Sequence, residues 1–245
     1  MTRTDNQITA YWATRAEGYS DRTEDELSGP RGKLWAARLK TALAAAPEGP
    51  VLDIGCGPGL FALLASRTGR RVIGLDITPE MLERARANQK KYAPEAEAEF
   101  MEGDATCLPF ADHSIAAIVS RYVIWNLPNP EAALSEFLRV LMPGGILYYV
   151  DGNHYRYLTD AQWAALHEKE KAAYGHEYRF VKGVDTRPME EIARSLPLTA
   201  RERPSWDVDT LEKLSYAAVR FDVLEKTHLE NIDLITEFSL TAHAP

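Results

Sequence analysis

Five short extended runs, Val51 to Ile54, Val72 to Leu75, Phe100 to Gly103, Ile115 to Val119 and Ile146 to Val150, punctuate the first two thirds of the chain. Helix-period stretches separate most of them. Leu60 to Ala65 is one. A second opens at Thr78-Pro79, a cap followed by proline at the first helical position, and carries Met81, Leu82, Ala85 and Gln89. A third opens on the same device at Asn129-Pro130, shows Leu134, Phe137, Leu138 and Leu141 at helical spacing, and stops at Pro143-Gly144-Gly145. Strands alternating with helices are joined by right-handed crossovers, which makes the sheet mostly parallel and covers both of its faces. The fold class is therefore α/β.

The flanks break the alternation. Residues 1–48 are expected to form an N-terminal helical cap: a breaker cluster at Ser28-Gly29-Pro30 precedes a stripe of Leu34, Trp35, Leu39, Ala42, Leu43 and Ala46 that stops at Pro47. Residues 49–152 are the core. Residues 153–208 read as a helical insertion over the ligand edge of the sheet, with a capping box at Thr159 and Gln162, a helix end at Gly175 and a short helix holding Met189, Ile192 and Leu196. Residues 209–245 hold a helix starting at Asp209, with Glu212 at the box position. Two extended segments then complete the core, roughly Phe221 to Thr227 and Leu234 to Ala242.

A chain of 245 residues can bury roughly 70–75% of its unfolded surface without staples. Its net charge of -8 argues against nucleic acid or anionic lipid as a partner. No run approaches a membrane span. The opening MTRTDNQITAYW lacks the apolar stretch of a secretory signal, so the cytoplasm is the expected compartment, and two cysteines, Cys56 and Cys107, suit it. No thiolate set or histidine pair with metal-ligand spacing is present, so no metal is expected.

The stretch VLDIGCGPG sets Gly55, Gly57 and Gly59 between a strand and a helix. Glycine there lets bare backbone touch a ligand and permits a positive φ in a sharp turn. Counted from Gly55, the dinucleotide fingerprint fails at Leu60; counted from Gly57 it ends on Ala62, a tolerated variant, and that register stays open. Asp53, just before the loop, would repel a pyrophosphate and attract an ammonium group. Asp76 ends the second strand, where a carboxylate can accept from both hydroxyls of a ribose, and Asp104 follows the third. A solvated strand-end aspartate is the alternative reading of Asp76.

Together YWATRAEGY, VLDIGCGPG, GLDIT, GDATCLPF and NPEAALSEFLRVLMPGG resemble the class I S-adenosylmethionine-dependent methyltransferases, in the small-molecule branch of the ubiquinone and menaquinone biosynthesis enzymes. The likeness covers about residues 10–152 and the terminal strand pair. It implies a Rossmann-like, seven-stranded, mostly parallel sheet whose last strand is antiparallel. It also implies S-adenosylmethionine as cofactor, S-adenosylhomocysteine as product and a small-molecule methyl acceptor. Carried over, Gly55 and Gly57 lie under the methionine part, Asp53 near its amino group and Asp76 on the ribose diol. Ile77 packs on the adenine face, and Asp104 and Ala105 meet the adenine edge. Ser120 and Arg121 border the methionine tail through their backbones, while Tyr11, Trp12 and Tyr19 belong to a segment that closes over the cofactor. Aromatic packing of a terminal helix is the alternative for these last. Where many relatives carry a histidine pair after the fourth strand, this chain has Trp125 and Asn126, which puts a histidine mechanism from that loop in doubt.

A sulfonium methyl is already activated, so alignment and exclusion of water do most of the work, and well-oriented reactions gain on the order of 7–11 kcal/mol this way. For a hydroxyl acceptor the expected base is His154, four residues past the fifth strand, ahead of His176. Tyr155, Tyr157, Trp163, Tyr174, Tyr178 and Phe180, interleaved with Arg156 and Arg179, suit a lid over a planar or carboxylate-bearing acceptor, or plain helix packing. A noncatalytic cofactor-binding protein and a nicotinamide-dependent oxidoreductase are the rival functions.

Overall fold

The computed structural model of the chain describes residues 3–171, 180–229 and 232–245. Its sheet is built from β1 (Val51–Ile54), β2 (Val72–Asp76), β3 (Ala98–Glu102), β4 (Ile115–Arg121), β5 (Leu141–Gly152), β6 (Ala217–Leu229) and β7 (Ile232–His243). The seven strands lie in the order β3-β2-β1-β4-β5-β7-β6. β1 to β5 pair in parallel, and β7 runs antiparallel to both β5 and β6. The chain winds outward through β1, β2 and β3, then returns to place β4 on the other side of β1. That reversal opens a crevice at the carboxyl ends of β1 and β4.

The helices are α1 (Arg3–Ser28), α2 (Pro30–Ala44), α3 (Leu60–Ser66), α4 (Pro79–Tyr92), α5 (Pro130–Val140), α6 (Ala161–Lys171), α7 (Arg187–Ala193) and α8 (Ser205–Lys213). Among the described residues, no helix is long and apolar enough to cross a membrane. Side chains alternate across the sheet, as the two-residue period of a strand requires. On one face Leu52, Ile54, Ile118, Leu147 and Tyr149 meet Leu134, Phe137 and Val140 of α5 and Leu211 of α8. On the other, Val51, Ala117, Val119, Ile146 and Tyr148 meet Trp35, Leu39 and Leu43 of α2 and Phe61 and Leu64 of α3. Each large apolar side chain buried here contributes about 1.5–3 kcal/mol.

Several boundaries differ from the sequence expectation. Asn129 caps α5 as expected, its side chain accepting from the Ala132 N–H at 3.2 Å. Thr159 does not cap α6: its hydroxyl donates to the Arg156 and Thr199 carbonyls, and Asp160 accepts the Gln162 and Trp163 N–H groups instead. The fifth strand starts at Leu141, because Leu141 already pairs with Ile115. Helix α8 starts at Ser205 rather than Asp209, and Leu34 turns outward from the α2 stripe. The expected helix end at Gly175 lies outside the described residues.

The earlier start of α8 follows from a buried ionic cluster. Arg203 sits between two aspartates, with Nη1 3.0 Å from Asp151 Oδ2 and Nε donating to Asp207 Oδ2 at 2.8 Å. The Tyr149 hydroxyl donates to Asp207 Oδ1 at 2.6 Å. All three charged side chains are almost fully enclosed. The cluster joins β5 to the first turn of α8 and so anchors the insertion to the sheet. Removing one member of a buried ionic group leaves an uncompensated charge, which costs about 3–5 kcal/mol. Arg203→Leu is expected to lose that amount in urea-induced unfolding; a loss below about 1 kcal/mol would refute the anchoring role.

Candidate active site

The crevice at the strand ends is a cavity of about 1250 Å³. Single small-molecule pockets span about 300–1,000 Å³, so this one has room for a cofactor and a second molecule. Its floor is the loop between β1 and α3. Gly55 and Gly57 have φ of +61° and +51°, in the left-handed region. A side chain on Gly55 would also strike Val123, with Cβ 2.3 Å from Cγ2, whereas one on Gly57 would meet only Met81 Sδ at 4.0 Å. Gly55 therefore lets the loop close against the β4 loop, and Gly57 leaves bare backbone facing the cavity.

Two aspartates hold this loop. Asp53 Oδ2 accepts from the Ala62 N–H at 2.8 Å, capping the first turn of α3, whose N–H groups have no helical partners. Burial pushes its carboxyl up to about 8, and neighbouring Asp76 adds to the rise, against the opposing pull of the Ala62 N–H and Arg121. Asp76 Oδ2 accepts from the Gly57 N–H at 2.8 Å and Oδ1 from the Thr78 N–H at 2.9 Å. Burial raises its pKa too, and those N–H groups oppose the rise. Each carboxylate oxygen of Asp76 keeps acceptor capacity, since two N–H bonds leave further lone-pair sites. Thr78 stands at the start of α4 without a side-chain cap bond to the helix.

Asp53, Gly55, Gly57, Asp76, Ile77, Asp104 and Ala105 all line the same cavity. Asp104 Oδ1 accepts from the Thr106 N–H and hydroxyl, both at 2.8 Å. Ser120 is the exception among the expected residues. It is fully buried, its hydroxyl donates to the Ile54 carbonyl at 2.8 Å, and it is not among the lining residues. Arg121 does line the cavity, with its guanidinium 2.6 Å from Glu26 of α1.

Helix α1 forms one wall with Tyr11, Trp12, Arg15 and Tyr19. Trp12 meets Tyr11, Tyr19 and Trp125 edge-on, with centroids 5.2, 5.3 and 6.4 Å away, so the terminal aromatics both pack and face the cavity. The same cavity is also lined by Tyr122, Trp125, Asn126, His154, Tyr155, Tyr157, Trp163 and Phe180. Trp125 stacks on Tyr155 at 5.0 Å, and His154 packs against Tyr122 and Trp125. Arg156 turns to Asp160 instead. Tyr174, His176, Tyr178 and Arg179 lie outside the described residues.

Sequence reasoning missed Tyr122 and Glu237. Tyr122 has φ of +60°, an unusual backbone for a bulky residue, and its hydroxyl donates to Glu237 of β7. No local pattern marks a contact between residues so far apart in the chain. Cys56 is buried within the loop and Cys107 is exposed. Among the described residues, no group of three or more His, Cys, Asp or Glu could hold a metal ion.

Residues 52–149 match a methyltransferase domain family. A demethylmenaquinone methyltransferase of Tropheryma whipplei is 32% identical over 215 residues, covering 83% of this chain and 85% of that protein. The chain belongs to the class I S-adenosylmethionine-dependent methyltransferases. A demethylmenaquinone methyltransferase of Renibacterium salmoninarum is 35% identical over 134 residues, 55% of this chain, and that match spans only about half, 54%, of the relative. The fold also superposes on phosphoethanolamine N-methyltransferase 2 of Haemonchus contortus, solved with S-adenosyl-L-methionine, at a TM-score of 0.57. There the identity is 16%, over 85% of this methyltransferase chain and 52% of that one.

The raised carboxyl of Asp53 has a consequence for stability. Its ordinary value is 3.8 and its folded value about 8, so between these the folded chain holds a proton that the unfolded chain releases. The group's contribution is full below the lower value and is lost as pH rises through the upper one. Thermal melts of wild type and Asp53→Asn are expected to converge or cross as pH rises from 5 to 8, with wild type losing ground. A difference in Tm that stays constant over this range would refute the assignment.

Proposed function

We propose that this chain transfers a methyl group from S-adenosylmethionine to an oxygen, nitrogen or carbon nucleophile of a small molecule, releasing S-adenosylhomocysteine. The observation that carries the proposal is the convergence of a bare glycine loop, three strand-end aspartates and an aromatic chamber on one cavity. The two demethylmenaquinone methyltransferase relatives support a small-molecule acceptor.

The donor set suits the cofactor. Gly55 and Gly57 would pass under its methionine part, and the absence of any crowding atom above Gly57 suits close approach. Asp53 would face the amino group, where a cation compensates a carboxylate that burial otherwise keeps protonated. Asp76 would accept from the ribose hydroxyls with its remaining lone pairs, Ile77 would pack on the adenine, and Asp104 and Ala105 would meet its edge. Tyr11 and Tyr19 would close the cavity from the side of α1, and Arg121, at the end of β4, would border the methionine tail through its backbone. When bound, S-adenosylmethionine supplies a methyl group on a sulfonium, which needs no further activation. The protein's own residues then align the acceptor, exclude water and, for a hydroxyl acceptor, offer His154 as the base.

The division into an N-terminal cap over 1–48, a cofactor core over 49–152, a covering insertion over 153–208 and a completing segment over 209–245 accords with this reading. Calorimetry provides the test. S-adenosylhomocysteine at 100 times its dissociation constant is expected to stabilise the fold by about 2.7 kcal/mol, and NAD to leave it unchanged. Asp76→Ala is expected to weaken cofactor binding at least tenfold, since it removes a charge-assisted acceptor worth about 1.5–3 kcal/mol. A stabilisation by NAD alone would overturn the reading. Tight binding without transfer of labelled methyl to any member of a phenol, quinol, amine and carboxylate panel would leave a binding protein in its place.

A further inference from the structure

The buried cluster around Arg203 is not electrically closed. Asp151 and Asp207 bring two negative charges to one guanidinium, and all three groups are almost wholly out of water. One negative charge is left over, and burying an unpaired charge is costly. Asp151 holds the outer end of the cluster. Its Oδ2 accepts from the Trp125 N–H at 3.0 Å and lies 3.0 Å from Arg203, while its Oδ1 accepts from the Gly152 N–H at 2.9 Å. The next group beyond Oδ1 is the His154 imidazole, with Nε2 at 3.4 Å, and His154 lines the cavity.

We propose that Asp151 is a positioning residue for His154: it fixes the imidazole as the Nε2–H tautomer, leaves Nδ1 as the proton acceptor, and closes the cluster's charge when that proton arrives. The proposal rests on the methyl-transfer reading for its meaning and on the Asp151 geometry for its substance. In the step it describes, the O–H bond of a hydroxyl acceptor breaks, the proton goes to Nδ1, and the electron pair stays on the acceptor oxygen. The imidazole becomes imidazolium, and cluster plus His154 passes from one net negative charge to none. Ligand-free contacts of this kind are often long and tighten as charge develops, which suits the 3.4 Å separation.

Other charged groups stand near enough to need a control. Tyr122 packs edge-on against His154 at 5.1 Å, and its hydroxyl donates to Glu237, which also lies 4.0 Å from Arg31. Arg22 and Arg121 both lie over the Tyr122 ring. Glu237 faces Gly152 across the β5 and β7 pair, so it is the second carboxylate of this neighbourhood. Its sharing between Tyr122 and Arg31 makes it the weaker partner for a histidine.

The experiment is an NMR titration of the full chain carrying labelled histidine, free of ligand, with the His154 resonances assigned by their loss in His154→Gln. The expected result is an Nε2–H tautomer at high pH that is lost or mixed with Nδ1–H in Asp151→Asn and kept in Glu237→Gln. An Nδ1–H tautomer in wild type overturns the proposal, and so does a tautomer that Asp151→Asn leaves unchanged or that Glu237→Gln changes instead. If Asp151→Asn does not fold, the wild-type and Glu237→Gln tautomers decide. Failure of the wild-type chain to bind S-adenosylhomocysteine in calorimetry overturns the methyl-transfer reading separately, because the titration contains no cofactor.

Discussion

The cavity exists because two carboxylates reach the glycine loop from neighbouring strands. Asp53 takes the Ala62 N–H in the first turn of α3 and Asp76 takes the Gly57 N–H in the loop itself, so the turn is held from two neighbouring strands. Burial raises the proton affinity of both carboxylates, and Asp76 raises that of Asp53 further, a cost the fold carries in the ligand-free chain.

Much of this was visible in the sequence because the elements concerned are local. A strand, a glycine turn and a helix occupy consecutive residues, and each aspartate sits at a strand end. The parallel order of the sheet then brings the strand ends to one edge. Proline at the first position of α4 and α5 and the Asn129 cap are local signals as well. The capping box at Thr159 failed because Thr199, forty residues on, competes for its hydroxyl while Asp160 offers a better acceptor one residue later. The expected start of α8 failed for a related reason. The box at Asp209 was a fair local pattern, but Asp207 is drawn to Arg203, and the helix begins early enough to present it.

What stayed hidden is the chemistry made by residues distant in sequence. Arg203 meets Asp151 across the insertion, Tyr122 meets Glu237 across the sheet, and Arg121 meets Glu26 across the cavity wall. No period or motif predicts such pairs, because they depend on where an insertion lies on the sheet. Ser120 shows the converse. Its position beside the glycine loop is legible, but its hydroxyl spends itself on the Ile54 carbonyl and ties β4 to β1, so adjacency in the fold does not become access to the cavity.

The pair between Arg121 and Glu26 bears on how the chamber stays assembled. Burial alone would push the Glu26 carboxyl up, yet Arg121 at 2.6 Å and Arg22 at 3.0 Å bring it below the usual carboxylate range. It is therefore ionised throughout the neutral range, and α1 is fastened to the end of β4 by a charge that does not switch. At the other side Ser20 donates to Asn88, and Asn88 donates to the Pro58 carbonyl in the glycine loop. The helix that walls the cavity is thus tied both to the glycine loop and to the end of β4. A displacement of α1 would break contacts at both.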